Sequence, residues 1–510
     1  MKKGSETMKH LLRISMMACF LSGCAVGPDF KRPAPPLSKS YSPSGKLPEK
    51  ADSAAASGGE AQYFDARAKI PSDWWTVFKS PGIDSLIKQA FKANPDIEAA
   101  RAALRQAQQN VLAQQGFFYP TVGASYSPSR NKLAGNMGGN SPGVQGNGSI
   151  IQTYSNPSGP PPFNAPVYYD FHVAQLTVGY VPDVFGLNRR MVESAKAQEA
   201  QQKLQLEATY LTLASNVVAA ALQEASLRAQ IAAMERIVEI NDELLGIYRN
   251  RLALGDVSAV DVAAQESTLA SMKQQLYPMK KQLEQTRDLI RALAGNFQDE
   301  DVKEKFSFSE IRLPARLPLS LPSRIVEQRP DVREAEEALH YASAQEGVAI
   351  ANTLPQFAVT GAIGGMASTP GWMFRSGGGF FDLTANVAYT IFDGGTLRAK
   401  SRAAREALVQ AGAQYRSIVI AALQNVADVL HAIQDDAKAF RHAAEQERAA
   451  KEGFDLAASQ YELGAADYQT RLLAEQNYQL SVINLTEARA NRFGDTIALY
   501  QALGGGWWNR

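Results

Sequence analysis

The stretch NPDIEAARAALRQAQQNVLAQQGFFYP, ending at Pro120, returns without a gap as RPDVREAEEALHYASAQEGVAIANTLP, ending at Pro355. Pro95 matches Pro330, Asp96 matches Asp331, Leu104 matches Leu339 and Pro120 matches Pro355. A tandem repeat governs the fold, because what one half builds the other builds again. In each copy a Pro-Asp pair opens a helix, where a missing N–H is no loss and an acid meets the positive helix end. A proline closes it.

A strand-like run follows each helix. Val122, Ala124 and Tyr126 alternate with Thr121, Gly123 and Ser125; Phe357, Val359, Gly361 and Ile363 alternate with smaller or polar residues. A second run follows in each half: Ala174, Leu176, Val178 and Tyr180, then Leu383, Ala385, Val387, Tyr389 and Ile391. Opposite the last series stand Asp382, Thr384, Asn386, Ala388 and Thr390, a period of two. The loops near 129–168 and 368–379 are rich in turn-forming residues. Strands of about 10 residues with one apolar face suit a membrane β-barrel. The same periodicity fits a soluble hairpin on a sheet.

Long helical tracts come next. No proline occurs from Asn188 to Tyr277, or from Gly371 to Arg510. Leu204, Leu211, Val218 and Ala225 recur every seven residues, and Leu408, Ala411, Tyr415, Ile418, Ala422 and Val429 keep a coiled-coil period. A helix of roughly 60 residues is about 90 Å long, more than a compact domain needs. Each tract is punctuated once, by LALGDVSAVD around Gly255 and YELGAADYQT around Gly464. A glycine stop and polar caps predict that each tract folds back as a helical hairpin. Pro278 is expected to kink the first return helix.

Each half thus reads as helix, two strands and long hairpin. Four strands cannot close a barrel, and open edges cannot face lipid. If the strands cross a membrane, several chains must share one barrel. The expected organisation is a signal over 1–23, a tether over 24–70, a first repeat over 71–297, a connector over 298–322 and a second repeat over 323–510. The tether, rich in Pro, Ala, Ser and Gly, is expected to be poorly ordered or draped on a surface.

The N-terminus sets the compartment. Lys2, Lys3, Lys9 and His10 precede a short apolar stretch from Leu11 to Gly23, the layout of a secretory signal too short to span a bilayer. Translation from Met8 would give a tidier signal than from Met1. Leu21-Ser22-Gly23-Cys24 resembles a bacterial lipobox, in which the cysteine takes a diacylglycerol and becomes the new N-terminus. The only other cysteine, Cys19, falls in the signal, so disulfides and Cys-based metal sites are excluded on this reading. Ala25 follows where an aspartate would resemble an inner-membrane retention signal, which favours the outer membrane. A net charge of +1 argues against nucleic acid as partner. A mean hydropathy of −0.23, with no run of about 20 apolar residues, excludes a polytopic helical membrane protein. No GxSxG, HExxH, CxxC or P-loop is present, and GVQGNG lacks the strand-to-helix context of a phosphate cradle, so no catalytic residue or cofactor is expected.

The chain resembles the TolC-like outer membrane efflux proteins of the NodT-type lipoprotein branch. DWWTVFKSPGIDSLIKQAFKANPDI (Asp73–Ile97), LPSRIVEQRPDVREAEEAL (Leu321–Leu339), the paired hairpin tips and IALYQALGGGWW (Ile497–Trp508) carry the likeness. It implies a mainly α fold with a transmembrane β-barrel part. The implied assembly is a homotrimer with a shared twelve-stranded barrel, four strands from each chain, and a long α-helical periplasmic tunnel. The implied partners are a periplasmic adaptor (membrane fusion protein), an inner-membrane pump of the resistance-nodulation-division type and outer membrane lipid. The function implied is the outer membrane channel of a tripartite pump exporting small toxic compounds. A type I protein-secretion conduit and a periplasmic adaptor lipoprotein are the alternatives.

The site residues follow from the same resemblance. Cys24 would carry a thioether-linked diacylglycerol and an N-acyl chain such as palmitoyl. Gly255, Asp256, Val257 and Ser258, matched by Gly464, Ala465 and Ala466, would dock the adaptor; the alternative is that they only turn the chain. Tyr461 matches a family tyrosine of the periplasmic gate. The family's gate aspartate and arginine fall on Leu473 and Gln476, so that charged pair is missing. Asp467 and Arg471, at i and i+4, are a candidate substitute pair, and Leu473 a candidate hydrophobic constriction. His431 and Asp435 share a helix face and could suggest a metal pair, but nothing else converges on them in sequence, and an ordinary tunnel or surface position is the favoured reading.

Overall fold

The computed structural model describes residues 25–36, 40–41, 49–133, 143–144, 150–151 and 167–509. The signal region and Cys24 lie outside the described residues.

The repeat is carried into the structure with equal lengths in each half. After α1 (Pro81–Ala93), helix α2 (Pro95–Gly116) has 22 residues, α3 (Leu187–Ala253) 67 and α4 (Ala259–Leu293) 35. After the short α5 (Pro322–Gln328), the lengths recur in α6 (Pro330–Ala351), α7 (Thr396–Glu462) and α8 (Tyr468–Ala502). Matching lengths mean that two similar sequences solve one packing problem twice. Helix α4 continues through Pro278.

The contacts divide the chain into two compact units. One draws on residues up to 31, 108–197 and 340–410, and holds the main sheet. Its strands are β1 (Thr121–Leu133), β2 (Val167–Tyr180), β3 (Gln356–Ala367) and β4 (Gly379–Ala388), all antiparallel in the order β1-β2-β3-β4. The expectation that Tyr389 and Ile391 extend β4 is corrected. Ala388 pairs with Gln356, the first residue of β3, so the ladder has no partner beyond it.

The register sorts the side chains. Val122, Val178, Gly361 and Leu383 form one row across all four strands, and Ala124, Leu176, Ile363 and Phe381 the next. The alternate rows are Thr121, Gly179, Thr360 and Thr384, then Gly123, Thr177, Ala362 and Asp382. Over these rows one face is apolar and the other small or polar. The apolar face is open: Val122, Leu176, Ile363, Phe381 and Leu383 are all more than half exposed. Among the described residues, neither outer edge, β1 or β4, pairs with a further strand.

The other unit draws on residues 32–107, 198–339 and 411–510. Its core sets Trp74, Phe78, Ile83 and Leu86 against Phe493, Ile497 and Tyr500, with Trp74 stacked on Tyr500 at 5.4 Å. All but Phe493 belong to the two motifs Asp73–Ile97 and Ile497–Trp508. A small sheet joins Lys50–Ala51 to Gln62–Asp65, and the latter runs parallel to Arg316–Pro318. Part of the expected tether and part of the connector are therefore paired strands.

The heptad positions face inward on α3, where Leu204, Val218 and Ala225 are buried, and on α7, where Tyr415, Ala422 and Val429 are buried. Helix α7 also carries an 18-residue window of mean hydropathy 1.3, one third of it buried, which by length and composition alone would suit a membrane. Val409 and Ile420 on this helix are exposed.

Candidate functional site at the hairpin tips

The two long helices stop in the same way. Beyond α3, the Asp256 N–H donates to the Arg251 carbonyl at 2.9 Å and the Gly255 N–H to Leu252 at 3.0 Å. Beyond α7, the Ala465 N–H donates to Gln460 at 2.8 Å and the Gly464 N–H to Tyr461 at 3.0 Å. This nested pair of bonds satisfies carbonyls left open at a helix end, and it needs a left-handed residue. Gly255 and Gly464 supply it at φ 77° and 74°. A Cβ at either would meet nothing within 4 Å, so backbone conformation alone selects glycine.

The return helices are capped by side chains. Ser258 Oγ accepts the Asp261 N–H at 3.3 Å, while the Asp261 carboxylate accepts the Ser258 N–H at 2.8 Å, a reciprocal capping box. At the second tip the Asp467 carboxylate accepts the Thr470 N–H at 2.8 Å and the Thr470 hydroxyl at 2.6 Å. The hydrogen bonds from Thr470 hold Asp467 below the usual carboxylate range. Asp256 is bound by Arg251 Nε at 3.0 Å. Val257 and Ala466 are half-buried, and Ser258 and Ala465 exposed. Leu254 and Leu463, beside the two tip glycines, are 84% and 83% exposed. Each tip therefore presents a rigid turn with one apolar side chain standing in water.

The gate residues are only partly brought together. The Tyr461 ring lies 5.3 Å from that of Tyr468. The candidate ion pair between Asp467 and Arg471 does not form. The cap consumes the Asp467 carboxylate, and the Arg471 guanidinium lies over the Tyr468 ring at 5.5 Å. Leu473 is 49% exposed, whereas its neighbour Leu472 is buried with Ile240 and Leu244. The Asp435 carboxylate is taken by Lys438 at 2.8 Å.

A different set of charges ties α3 to α8. Arg236 grips both oxygens of Glu475, Nε–Oε1 at 2.6 Å and Nη2–Oε2 at 2.9 Å. Its Nη1 reaches Glu239 at 3.1 Å and Glu243 at 3.3 Å. The Glu475 side chain is only 10% exposed. Glu475 foremost, aided by Glu239 and Glu243 and opposed by burial, holds Arg236 above its ordinary value. The Tyr468 hydroxyl donates to Glu243 at 2.5 Å, Arg251 Nη1 donates to Gln469 at 3.1 Å, and Asn241 Nδ2 reaches Gln476 at 3.4 Å. The two hairpins are thus laced together behind the tips by a bidentate ion pair, two further charge-assisted bonds and one neutral amide contact. Sequence reading missed Arg236 and Glu475, which are 239 residues apart and carry no local signal.

In the sheet-bearing unit, the first described residues are gripped by one buried arginine. Arg190, with a side chain 4% exposed, donates to the carbonyls of Val26 and Gly27 at 3.0 and 3.1 Å and to the Asp29 carboxylate at 2.9 Å. Glu193 pairs with its remaining arm at 2.7 Å. Gly27 lies so close to Gly347 that a Cβ would fall 2.5 Å from its Cα. Phe30 stacks on His340 at 4.3 Å, and the Val26 N–H donates to Phe185 at 3.1 Å, just beyond β2. Residues 25–30 are therefore fixed.

Comparison with known proteins gives a consistent result. The sequence profile of the outer membrane efflux protein family matches residues 86–296 and 321–505. The pyoverdine export outer membrane protein OpmQ of Pseudomonas aeruginosa is 28% identical over 478 residues, covering 91% of this chain and 94% of that protein. The toluene efflux pump outer membrane protein TtgC of Pseudomonas putida is 25% identical over 508 residues, covering 98% and 96%. The crystal structure of the Campylobacter jejuni CmeC outer membrane channel superposes with a TM-score of 0.78 at 21% identity, covering 95% of each chain.

Proposed function

The chain belongs to the outer membrane efflux protein family, and from that premise we propose that it is the outer membrane channel of a tripartite efflux pump, carrying small toxic compounds from the periplasm to the exterior. The observation that carries this reading is the sheet. Its apolar face crosses all four strands and is exposed, its other face is small or polar over the rows from Thr121 to Gly123, and neither edge pairs with a further strand among the described residues. Lipid covers such a face, and neighbouring chains supply the missing edge bonds. Three chains give twelve strands, enough for a barrel with a polar lumen. The exposed Val409 and Ile420 of α7 are then covered by a neighbouring copy.

The helical hairpins form the periplasmic tunnel. Their tips meet an adaptor that joins the channel to an inner-membrane pump, and exposed Leu254 and Leu463 give that contact its apolar centre. Arg236 and Glu475 act as the latch that keeps the tunnel mouth closed at rest. Cys24 carries the lipid anchor; in support, the residues that follow it are held beside the end of β2 rather than left free. The names of the relatives mention pyoverdine and toluene, which fits a channel that leaves selection to its pump.

The test of docking is a photocrosslinking residue placed at Ser258 and, separately, at Ala465 in the cell. Capture of a periplasmic adaptor supports the reading. Self-crosslinks alone, in protein shown to reside in the outer membrane, would remove the docking role from the tips.

A further inference from the structure

The two repeats differ in one charge pattern beside the sheet. Helices α3 and α7 are each 67 residues long, so Arg398, Arg402 and Arg405 of α7 stand where Arg189, Glu193 and Lys196 stand in α3. In α3 the chain balances these charges itself. Arg189 pairs with Asp183 at 3.1 Å, and Glu193 takes Arg190 at 2.7 Å and His340 at 3.0 Å. In α7 an arginine stands in place of the acid, and Lys400 adds a fourth cation. All four are exposed, and among the described residues none has an acidic partner. From Thr396 to Val426 the helix has Glu406 as its single acid. The Asp393 carboxylate, just before the helix, is committed to the N–H groups of Gly395 at 2.8 Å and Leu397 at 2.7 Å.

The basic stripe begins where the apolar sheet face ends. Past the last ladder pair at Ala388, Tyr389, Ile391 and Phe392 are 59%, 92% and 89% exposed. Aromatic and apolar side chains followed by cations suit the boundary between bilayer and water. Arg398, Arg402 and Arg405, at i, i+4 and i+7, share one face of α7. Helical side chains lean toward the helix N-terminus, here toward the sheet. Arg402 lies about 9 Å along the helix from its start, within reach of a long side chain that snorkels back to the interface.

On the channel reading above, a neighbouring copy does not supply the missing acid. Helix α3 meets α6 through Glu193 with His340 and through Ser194 with Gln345 at 2.7 Å. By the repeat, α7 of one copy meets α2 of the next. From Ala99 to Gly116, α2 carries Arg101 and Arg105 and no acid. Resting on that reading, we propose that Arg398, Arg402 and Arg405 bind the phosphate of an anionic phospholipid of the periplasmic leaflet, one at each seam between copies. Guanidinium forks match phosphate oxygens in pairs. The acyl chains lie beside Tyr389 and Ile391, which continue the series of the lipid-facing row.

The experiment uses the full-length oligomer, delipidated in mild detergent and titrated with dioleoyl phosphatidylglycerol or, separately, dioleoyl phosphatidylcholine. Native mass spectrometry counts the bound lipid. The expected result is one phosphatidylglycerol per chain, bound more tightly than phosphatidylcholine and weakened by salt. Binding should fall about fivefold for each arginine changed to glutamine, the effect of one cation close to an anionic surface. Arg402→Glu restores the charge found at Glu193 in α3, so the fold tolerates it, and it should weaken phosphatidylglycerol about 25-fold. Equal binding of the two lipids, binding unchanged in these variants, or displacement by an equal concentration of inorganic phosphate overturns the proposal. So does a less stable oligomer in Arg402→Glu with lipid binding unchanged, since a neighbouring copy then covers the arginines. Conductance of the same sample reports on the channel reading separately: lost lipid discrimination with conductance intact strikes this proposal alone.

Discussion

Glu475→Gln is the substitution that most sharply separates a latch from a mere brace. It keeps the side chain's shape and removes its charge. Both oxygens of Glu475 are engaged by Arg236, at 2.6 and 2.9 Å, and the glutamate side chain is 10% exposed. Removing one member of a fully buried pair costs about 3–5 kcal/mol. Arg236 is 31% exposed and keeps Glu239 and Glu243 within reach, which lowers the figure to about 2 kcal/mol. In a two-state mouth that is about a 30-fold shift toward open for each chain. Single-channel recording in a planar bilayer reads it as open probability at low voltage. Arg236→Lys, which keeps the charge but not the two-pronged grip, should fall between wild type and Glu475→Gln. An unchanged open probability together with a lowered unfolding temperature would refute the latch and leave the contact as packing only.

Other outcomes follow from the same geometry. Leu383→Arg puts a charge in the exposed apolar row at a cost of about 2–4 kcal/mol near mid-membrane, and should abolish the heat-modifiable oligomer in the outer membrane. Thr384→Arg, one residue on and facing the other way, should assemble and change only conductance. Arg190→Met removes the hydrogen bonds to Val26, Gly27 and Asp29 and should expose residues 25–30 to limited proteolysis while the sheet remains. The carboxyl of Asp495, raised to about 7 from an ordinary value near 4, binds its proton more tightly folded than unfolded. Its contribution to stability is therefore present at low pH and lost as pH rises from about 4 to about 7. The unfolding temperature of the wild type should carry that downward trend, and Asp495→Asn should remove it.

The parts of the fold that are legible in the sequence are those with local periodicity. The alternation of Leu383, Ala385 and Val387 names a strand and its apolar face, though not what covers that face, and the glycine-then-cap order at Gly255 and Gly464 names a turn. Length was harder to read. Tyr389 and Ile391 continue the alternation, yet a strand ends where its partner does, and Gln356 ends the ladder at Ala388. The Asp467–Arg471 spacing suited a helix ion pair, but Asp467 is the cap in front of the helix, whose first turn has open N–H groups to satisfy, and the carboxylate serves Thr470 instead.

Long-range order was invisible for a related reason. A Pro-, Ala- and Ser-rich segment has the composition of a tether. Its first fixed stretch, residues 25–30, depends on a single arginine more than 160 residues away, Arg190, and on the close approach of Gly27 to Gly347. The strand Arg316–Pro318 lies in a proline-punctuated connector and forms only because Gln62–Asp65 offers an edge. Arg236 and Glu475 each read as ordinary helix-surface charges until the two hairpins are laid side by side.

The central claim is that this chain completes a barrel with copies of itself. Native mass spectrometry of the complex released from outer membranes in mild detergent tests it directly. The account predicts a mass of three chains, each beginning at a lipid-bearing Cys24. A stable species with the mass of one chain, recovered under conditions that preserve the protein's conductance, would contradict it.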